Sequence, residues 1–182
     1  KSACVIGGGT AGFLTAISLK RAFPGLDISV IEAPDIPIIG VGEATVESIL
    51  PFLHKGLGID IGEFYEKVRP TWKLGIRFDW GAPEAHYFYA PFGWNNKGIG
   101  LLGSLHYENS INFMNLHSRL MAANKIPLFD PDEGDIFFDP SGINYAYHLD
   151  NARFVRFLHD YAHRQGISYI RARIQDAELQ GT

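Results

Sequence analysis

Gly7, Gly9 and Gly12 stand in the run Val5-Ile6-Gly7-Gly8-Gly9-Thr10-Ala11-Gly12, between an apolar stretch and a helical pattern, and Glu32 closes the next apolar stretch. That spacing is the GxGxxG arrangement of a dinucleotide site. Gly7 permits the tight turn, Gly9 lets the backbone approach a pyrophosphate, and Gly12 lets the helix pack closely on the strand. The start of the helix, at Thr10 and Ala11, brings unpaired N–H groups and a positive dipole end to the phosphate charge. Glu32 follows the last glycine by about 20 residues, the distance at which a carboxylate accepts hydrogen bonds from a ribose hydroxyl and repels a 2′-phosphate. The alternative is a glycine-rich turn without a ligand. Strand, loop, helix and acid occurring in order favour the site.

Other chemistry-bearing residues are sparse. Cys4 is the one cysteine, which allows neither an internal disulfide nor a thiolate metal cluster, and its place in an apolar strand predicts a packing role. His159 and His163 have i, i+4 helical spacing, but no glutamate or third ligand accompanies them, so they read as a solvated helix face and no metal site is expected.

These residues need elements to position them. The chain of 182 residues, 46% hydrophobic, can bury one substantial core, and a single domain over 1–182 is expected. Its net charge of −4, without a basic run, argues against a nucleic-acid surface. No apolar stretch approaches the ~20 residues of a membrane helix, and the N-terminus lacks the regions of a signal peptide, so the cytoplasm is the expected location and no membrane partner is expected.

Strands are predicted at 3–6 and 28–32, with a helix over 10–23 ending before Pro24-Gly25. The segment 34–45 is too broken by proline and glycine for a regular element and too apolar for a solvent loop. A short helix is expected over 46–55 and another turn or two over 60–68. Trp72 to Trp80 alternates, Leu74, Ile76, Phe78 and Trp80 facing one way and Lys73, Gly75, Arg77 and Asp79 the other, as one half-buried strand does, with 87–89 pairing near it. Residues 104–124 carry a helical pattern, 127–142 read as a surface excursion, and 95–103 offer exposed apolar residues suited to a partner or to covering a pocket. A helix runs over 150–166 from an Asp150 cap, with Phe154, Phe157, Leu158, Tyr161 and Ala162 on one face. Strands are expected at 168–171, placed beside strand one as the third parallel strand, and at 173–179.

The fold class is α/β, a Rossmann-like fold with a long insertion, about 46–147, between strands two and three. Tyr169 follows Glu32 by 137 positions. A simple nicotinamide enzyme uses a short crossover there, whereas FAD is larger and is commonly wrapped by inserted segments, so FAD is the expected cofactor.

With GGGTAG at 7–12, the run Gly40-Val41-Gly42-Glu43-Ala44-Thr45 resembles the flavin-dependent tryptophan halogenase family. Further matches follow in order: Leu57-Gly58-Ile59, Lys73-Leu74-Gly75-Ile76-Arg77-Phe78-Asp79-Trp80, Phe88-Tyr89-Ala90-Pro91-Phe92-Gly93 and Tyr147-His148-Leu149-Asp150. The resemblance covers the whole chain and implies an FAD-binding fold of the aromatic hydroxylase type. It implies that reduced FAD, O2 and chloride or bromide generate hypohalous acid at the flavin, and that the acid crosses to a lysine, matched by Lys73. That lysine holds the halogen species by a hydrogen bond or as a haloamine for attack by an electron-rich aromatic such as an indole. By the strand alternation alone, Lys73 is an ordinary solvent-facing lysine.

The resemblance makes residues 40–45 a strap between flavin and substrate pockets, in which Gly40, Val41, Gly42, Glu43, Ala44 and Thr45 contact the cofactor; the same residues also read as a capped helix start at Thr45. It implies a separate NAD(P)H-dependent flavin reductase as partner and leaves room for a homodimer. Phe92 keeps an aromatic that flanks the substrate, but Ala90 replaces the histidine that flanks indole in the tryptophan-specific enzymes, which argues against tryptophan itself. Phe13 replaces a family tryptophan. Family members are longer, and the glutamate that assists halogen transfer lies beyond Thr182 in them, so truncation at the C-terminus is expected. Two alternatives stay open: a flavin-dependent aromatic hydroxylase, which needs no relay amine, and a noncatalytic FAD-binding module.

Overall fold

The computed structural model describes residues 1–37, 42–79, 87–93, 116–126 and 144–178. They form two compact units, one of Lys1–Glu43, Leu50–Pro70 and Leu149–Thr182, the other of Ala44–Ile49 and Thr71–His148.

In the first unit, strand β1 (Ser2–Ile6) leads through the glycine loop into helix α1 (Thr10–Ala22) and strand β2 (Asp27–Glu32). Lys20 and Arg21 sit in the last turn of α1, where the negative end of the helix dipole favours them, and the helix stops at Phe23 because Pro24 disfavours helical backbone in the residue before it. β1 and β2 pair in parallel, Ser2 opposite Asp27 through Ile6 opposite Ile31. The third parallel strand, here Ser168–Arg171, pairs with β2, Val30 opposite Tyr169, so the order is first strand, second, third. It does not lie beside strand one as expected: in a doubly wound sheet the first three strands run 3-2-1, which puts the third on the far side of the second. The fold is α/β and Rossmann-like.

A π-helical turn at Pro51–Gly56, closed by the Leu57 N–H donating to the Phe52 carbonyl at 2.9 Å, stands where a helix over 46–55 was predicted. Pro51 has no N–H to donate, so it suits the first turn of such an element and not its middle. Helix α2 (Ile61–Val68) is capped by the Asp60 carboxylate, which accepts from the Glu63 N–H at 2.8 Å, and ends at Arg69 in left-handed backbone ahead of Pro70.

In the second unit the predicted strand 72–80 is two strands. β4 (Thr71–Lys73) and β5 (Gly75–Asp79) part at Leu74, which is buried, while Ile76 is exposed. The break is local: a Cβ at Gly75 would press on the Ala90 carbonyl and Met121 sulfur, and the Leu74 carbonyl accepts from the Phe92 N–H at 2.8 Å. β5 pairs antiparallel with β6 (Tyr87–Pro91), as expected for 87–89. Helix α3 (Leu116–Ala122) occupies the end of the expected helix, whose positions 104–115 lie outside the described residues, as do Trp80 and the segments 95–103 and 127–142. Strand β7 (Ala146–Leu149) pairs antiparallel with β4, within a sheet ordered β3 (Glu43–Ala44), β7, β4.

Back in the first unit, helix α4 (Asn151–Arg164) starts from Asp150, whose carboxylate accepts from the Arg153 N–H at 3.0 Å, and leads into strand β8 (Ser168–Arg171). The caps at Asp60 and Asp150 contribute about 1 kcal/mol each. The five residues predicted to share one face of α4 are all buried. Phe64 of α2 meets Phe154 and Phe157 edge-on at 5.9 and 5.6 Å, and burying each ring contributes about 2 kcal/mol.

Two further expectations fail. Residues 172–178 form no strand; Ala172 donates to the Glu32 carbonyl at 3.0 Å and Arg173 pairs with Asp35 at 3.3 Å, so this stretch lies at the end of β2 without a strand partner among the described residues. Cys4 is exposed, not packed: α1 covers one face of edge strand β1, and Ser2, Cys4 and Ile6 point the other way. No helix of the described residues is long and apolar enough to cross a membrane.

Candidate functional site

A cleft of about 770 Å³ opens at the C-terminal ends of β1, β2 and β8. It gathers Gly7, Gly8, Gly9, Thr10 and Ala11 of the loop, Glu32 at the end of β2, Glu43, and Asn151 at the start of α4. Gly7 has φ 117°, a backbone that side chains resist, and donates its N–H to the Ile31 carbonyl at 2.8 Å, which makes the turn. A Cβ at Gly12 would overlap the Gly7 carbonyl oxygen, so Gly12 is what lets α1 close against the loop. A Cβ at Gly9 would meet nothing within 4 Å; it would stand in open space beside the cleft. Gly9 caps α1 without a side-chain acceptor, so the first N–H groups of the helix keep their capacity for an anion.

Glu32 is half-buried, accepts a hydrogen bond from the Tyr169 hydroxyl, and lies so close under the loop that a Cβ at Gly8 would collide with it. Desolvation, then the bond to Glu32 and its charge, raise the Tyr169 pKa above the usual 10.0, so the phenol keeps its proton and remains a donor. The opposite wall is apolar and open: Ile36 and Ile174 are 59% and 38% exposed. These features fit a dinucleotide: N–H donors for a pyrophosphate, a carboxylate for a ribose, and apolar walls for a flat base.

Lys73 belongs to the second unit. It stands opposite Ala146 on β7, and its ammonium donates to the Thr45 carbonyl at 2.8 Å, with the Phe92 ring centroid 5.5 Å away. Thr45 is held in turn by Tyr147: its N–H donates to the Tyr147 carbonyl at 3.0 Å, and its hydroxyl donates to the same carbonyl at 2.8 Å and accepts from the Tyr147 N–H at 2.9 Å. Lys73 is half-buried, and desolvation lowers its pKa from the usual 10.5, which favours the neutral, nucleophilic amine. The strand alternation alone, which makes it solvent-facing, misses this because its amine lies along the sheet.

Gly42 and Ala44 are not among the cleft-lining residues, the Thr45 side chain is engaged by the Tyr147 backbone, and Gly40 and Val41 lie outside the described residues. Asn151 was missed by sequence reasoning: it is buried, and its carbonyl oxygen accepts from the Thr10 hydroxyl at 2.9 Å. A polar residue on the first turn of an apolar helix face was the available signal. His159 rests its ring against Tyr169 at 4.8 Å, and the described residues contain no group of three metal-ligating side chains.

A family model described as tryptophan halogenase matches residues 2–182. The 7-chloro-L-tryptophan 6-halogenase KtzR of Kutzneria sp. (strain 744) is 33% identical, the match covering 96% of this chain and 38% of that protein. Among solved structures, MibH, a lathipeptide tryptophan 5-halogenase, is 47% identical with a TM-score of 0.85 over 100% of this chain and 34% of its own. BrvH, a flavin-dependent halogenase from Brevundimonas sp. BAL3, is 32% identical with a TM-score of 0.69, covering 98% and 37%. The chain therefore spans little more than a third of the proteins it matches.

Proposed function

Since the chain belongs to the tryptophan halogenase family, we propose that its glycine-loop cleft holds FAD and that Lys73 delivers an oxidised halogen to an electron-rich aromatic such as an indole. The observation that carries this reading is the Lys73 amine: half-buried, tied by one hydrogen bond to Thr45, and lowered in pKa by desolvation. An amine in that state can hydrogen-bond hypohalous acid or take its halogen covalently.

In this reading Gly7, Gly9, Thr10, Ala11 and Gly12 supply the loop and helix N-terminus for the pyrophosphate, Glu32 receives the ribose, and Ile36 and Ile174 flank the adenine. Glu43 reaches the same cleft, and Asn151 fixes Thr10 at its rim. Gly40, Val41, Gly42, Ala44 and Thr45 complete the strap. Bound FAD, supplied reduced by a separate flavin reductase and meeting O2, would provide the oxidising power that turns chloride or bromide into hypohalous acid. Lys73 then presents the halogen, and Phe92, already against the amine, offers the ring face on which an aromatic substrate stacks. MibH is described as acting in a lathipeptide context, which makes an indole within a peptide a substrate to test beside the free compound.

The test is product mass after incubation with reduced FAD, O2, bromide and a panel of indoles and phenols. A bromine added to the ring is expected; an oxygen added in its place would mean a hydroxylase.

A further inference from the structure

We propose that His148 is the proton carrier between the Lys73 amine and solvent, an assignment that rests on the halogen-handling role of Lys73. The register sets the geometry. Thr71 stands opposite His148 and Lys73 opposite Ala146, so in this antiparallel pair Lys73 and His148 share one face as diagonal neighbours. Ala146, directly opposite Lys73, is fully buried and offers only a methyl on that face. The Lys73 side chain leaves β4 opposite Ala146 and ends on Thr45, which is bonded to Tyr147, the residue before His148.

The two residues differ in access. Lys73 is half-buried and His148 exposed, which makes the imidazole the outward end of the pair. Among the described residues its ring nitrogens have no hydrogen-bond partner, so they are available for transfer. Desolvation first, and the Lys73 charge second, lower the His148 pKa from its usual 6.5, leaving it neutral and able to accept at pH 7. The other titratable or charged groups on the adjoining elements, among the described residues, are Tyr147 on β7 with Tyr145 just before it, Glu43 on β3, and Glu47 and Asp150 in the flanking turns; Lys73 is the one whose charge shifts His148.

The proton balance is simple. An N–H bond of the Lys73 ammonium breaks as its proton passes through one intervening water to the neutral imidazole, whose other nitrogen releases a proton to bulk water, and nothing is oxidised or reduced. The freed amine lone pair then takes the halogen from hypohalous acid: the N–halogen bond forms, the halogen–oxygen bond breaks, and water leaves with one amine proton. His148 acts through Lys73 and touches no substrate, so it is a positioning residue.

The experiment is exchange of the Lys73 ammonium protons with water, followed by 15N NMR in the FAD-loaded protein. His148→Gln is expected to slow exchange about tenfold or more at pH 7, and added imidazole to restore it. Wild-type exchange should fall as pH drops through a midpoint below 6.5, a reading that needs no variant to fold. Equal exchange in both proteins, or a wild-type profile without that step, overturns the assignment. Halogenation by His148→Ala should likewise recover with imidazole, and a flat response counts against it. If wild-type protein forms no halogenated product, the halogenase reading falls, while the exchange measurement still decides whether His148 serves Lys73.

Discussion

The Lys73 ammonium donates to the Thr45 carbonyl at 2.8 Å, and Thr45 is fixed to Tyr147 through both its backbone and its hydroxyl. A residue of the GVGEAT run is therefore also the hydrogen-bond anchor of the amine. Three hydrogen bonds spend the side chain and N–H of Thr45 on β7, which leaves its carbonyl to the lysine.

Thr45→Val should separate these roles. It keeps the shape and removes the hydroxyl, leaving the buried Tyr147 N–H without that acceptor, a loss of about 1–3 kcal/mol. We expect turnover to fall and the apparent pKa of Lys73 to move, with FAD affinity within about twofold of wild type, about 0.4 kcal/mol by the usual conversion. An unchanged Lys73 titration, read by NMR of 13C-methylated lysine, would remove Thr45 from the positioning role.

Lys73→Ala should abolish halogenated product while FAD affinity, measured by flavin fluorescence, holds. Lys73→Arg should not restore turnover, because a guanidinium stays charged and offers no lone pair to a halogen. Product formation by either variant at the wild-type rate would end the relay.

The two loop glycines make opposite predictions. Gly9 has ordinary extended backbone and open space at its Cβ, and serine is a better helix cap than alanine, so Gly9→Ser should keep its Tm yet bind FAD poorly because the side chain enters the cleft. Gly12→Ala forces a methyl into the Gly7 carbonyl and should lower Tm by roughly 4–8 °C, from about 2 kcal/mol of overpacking in a domain of this size. Calorimetry with FAD titration checks both, and a Gly9→Ser protein that binds FAD normally would place the cofactor elsewhere.

The glycine loop, Glu32 and the Asp150 helix were legible because each is written in local spacing. The Thr10–Asn151 bond was not: its partners lie 141 positions apart and meet only through the crossover. The half-burial of Lys73 was hidden by a false premise, since one strand over 72–80 points lysine outward, whereas the break at Leu74 gives β4 its own partner, β7. Strand order failed for a related reason: local pattern identifies 168–171 as a strand but not its neighbour, which the doubly wound topology decides.

The last prediction concerns the carboxylate end of the cleft. Tyr169 donates to Glu32 and is stacked at 6.2 Å on Phe13, so the carboxylate is held from one side where it lines the cleft. Glu32→Gln should weaken FAD about 10–100-fold through loss of a charged acceptor, and Tyr169→Phe about fivefold through lost orientation. The sign with pH follows from the raised phenol pKa. The stability this bond contributes is fully present below the ordinary value of 10.0 and is lost as pH rises through the higher folded value, so wild type and Tyr169→Phe should converge in Tm only on the alkaline side. Tm curves that converge instead toward acid pH would show that the phenol is not the donor.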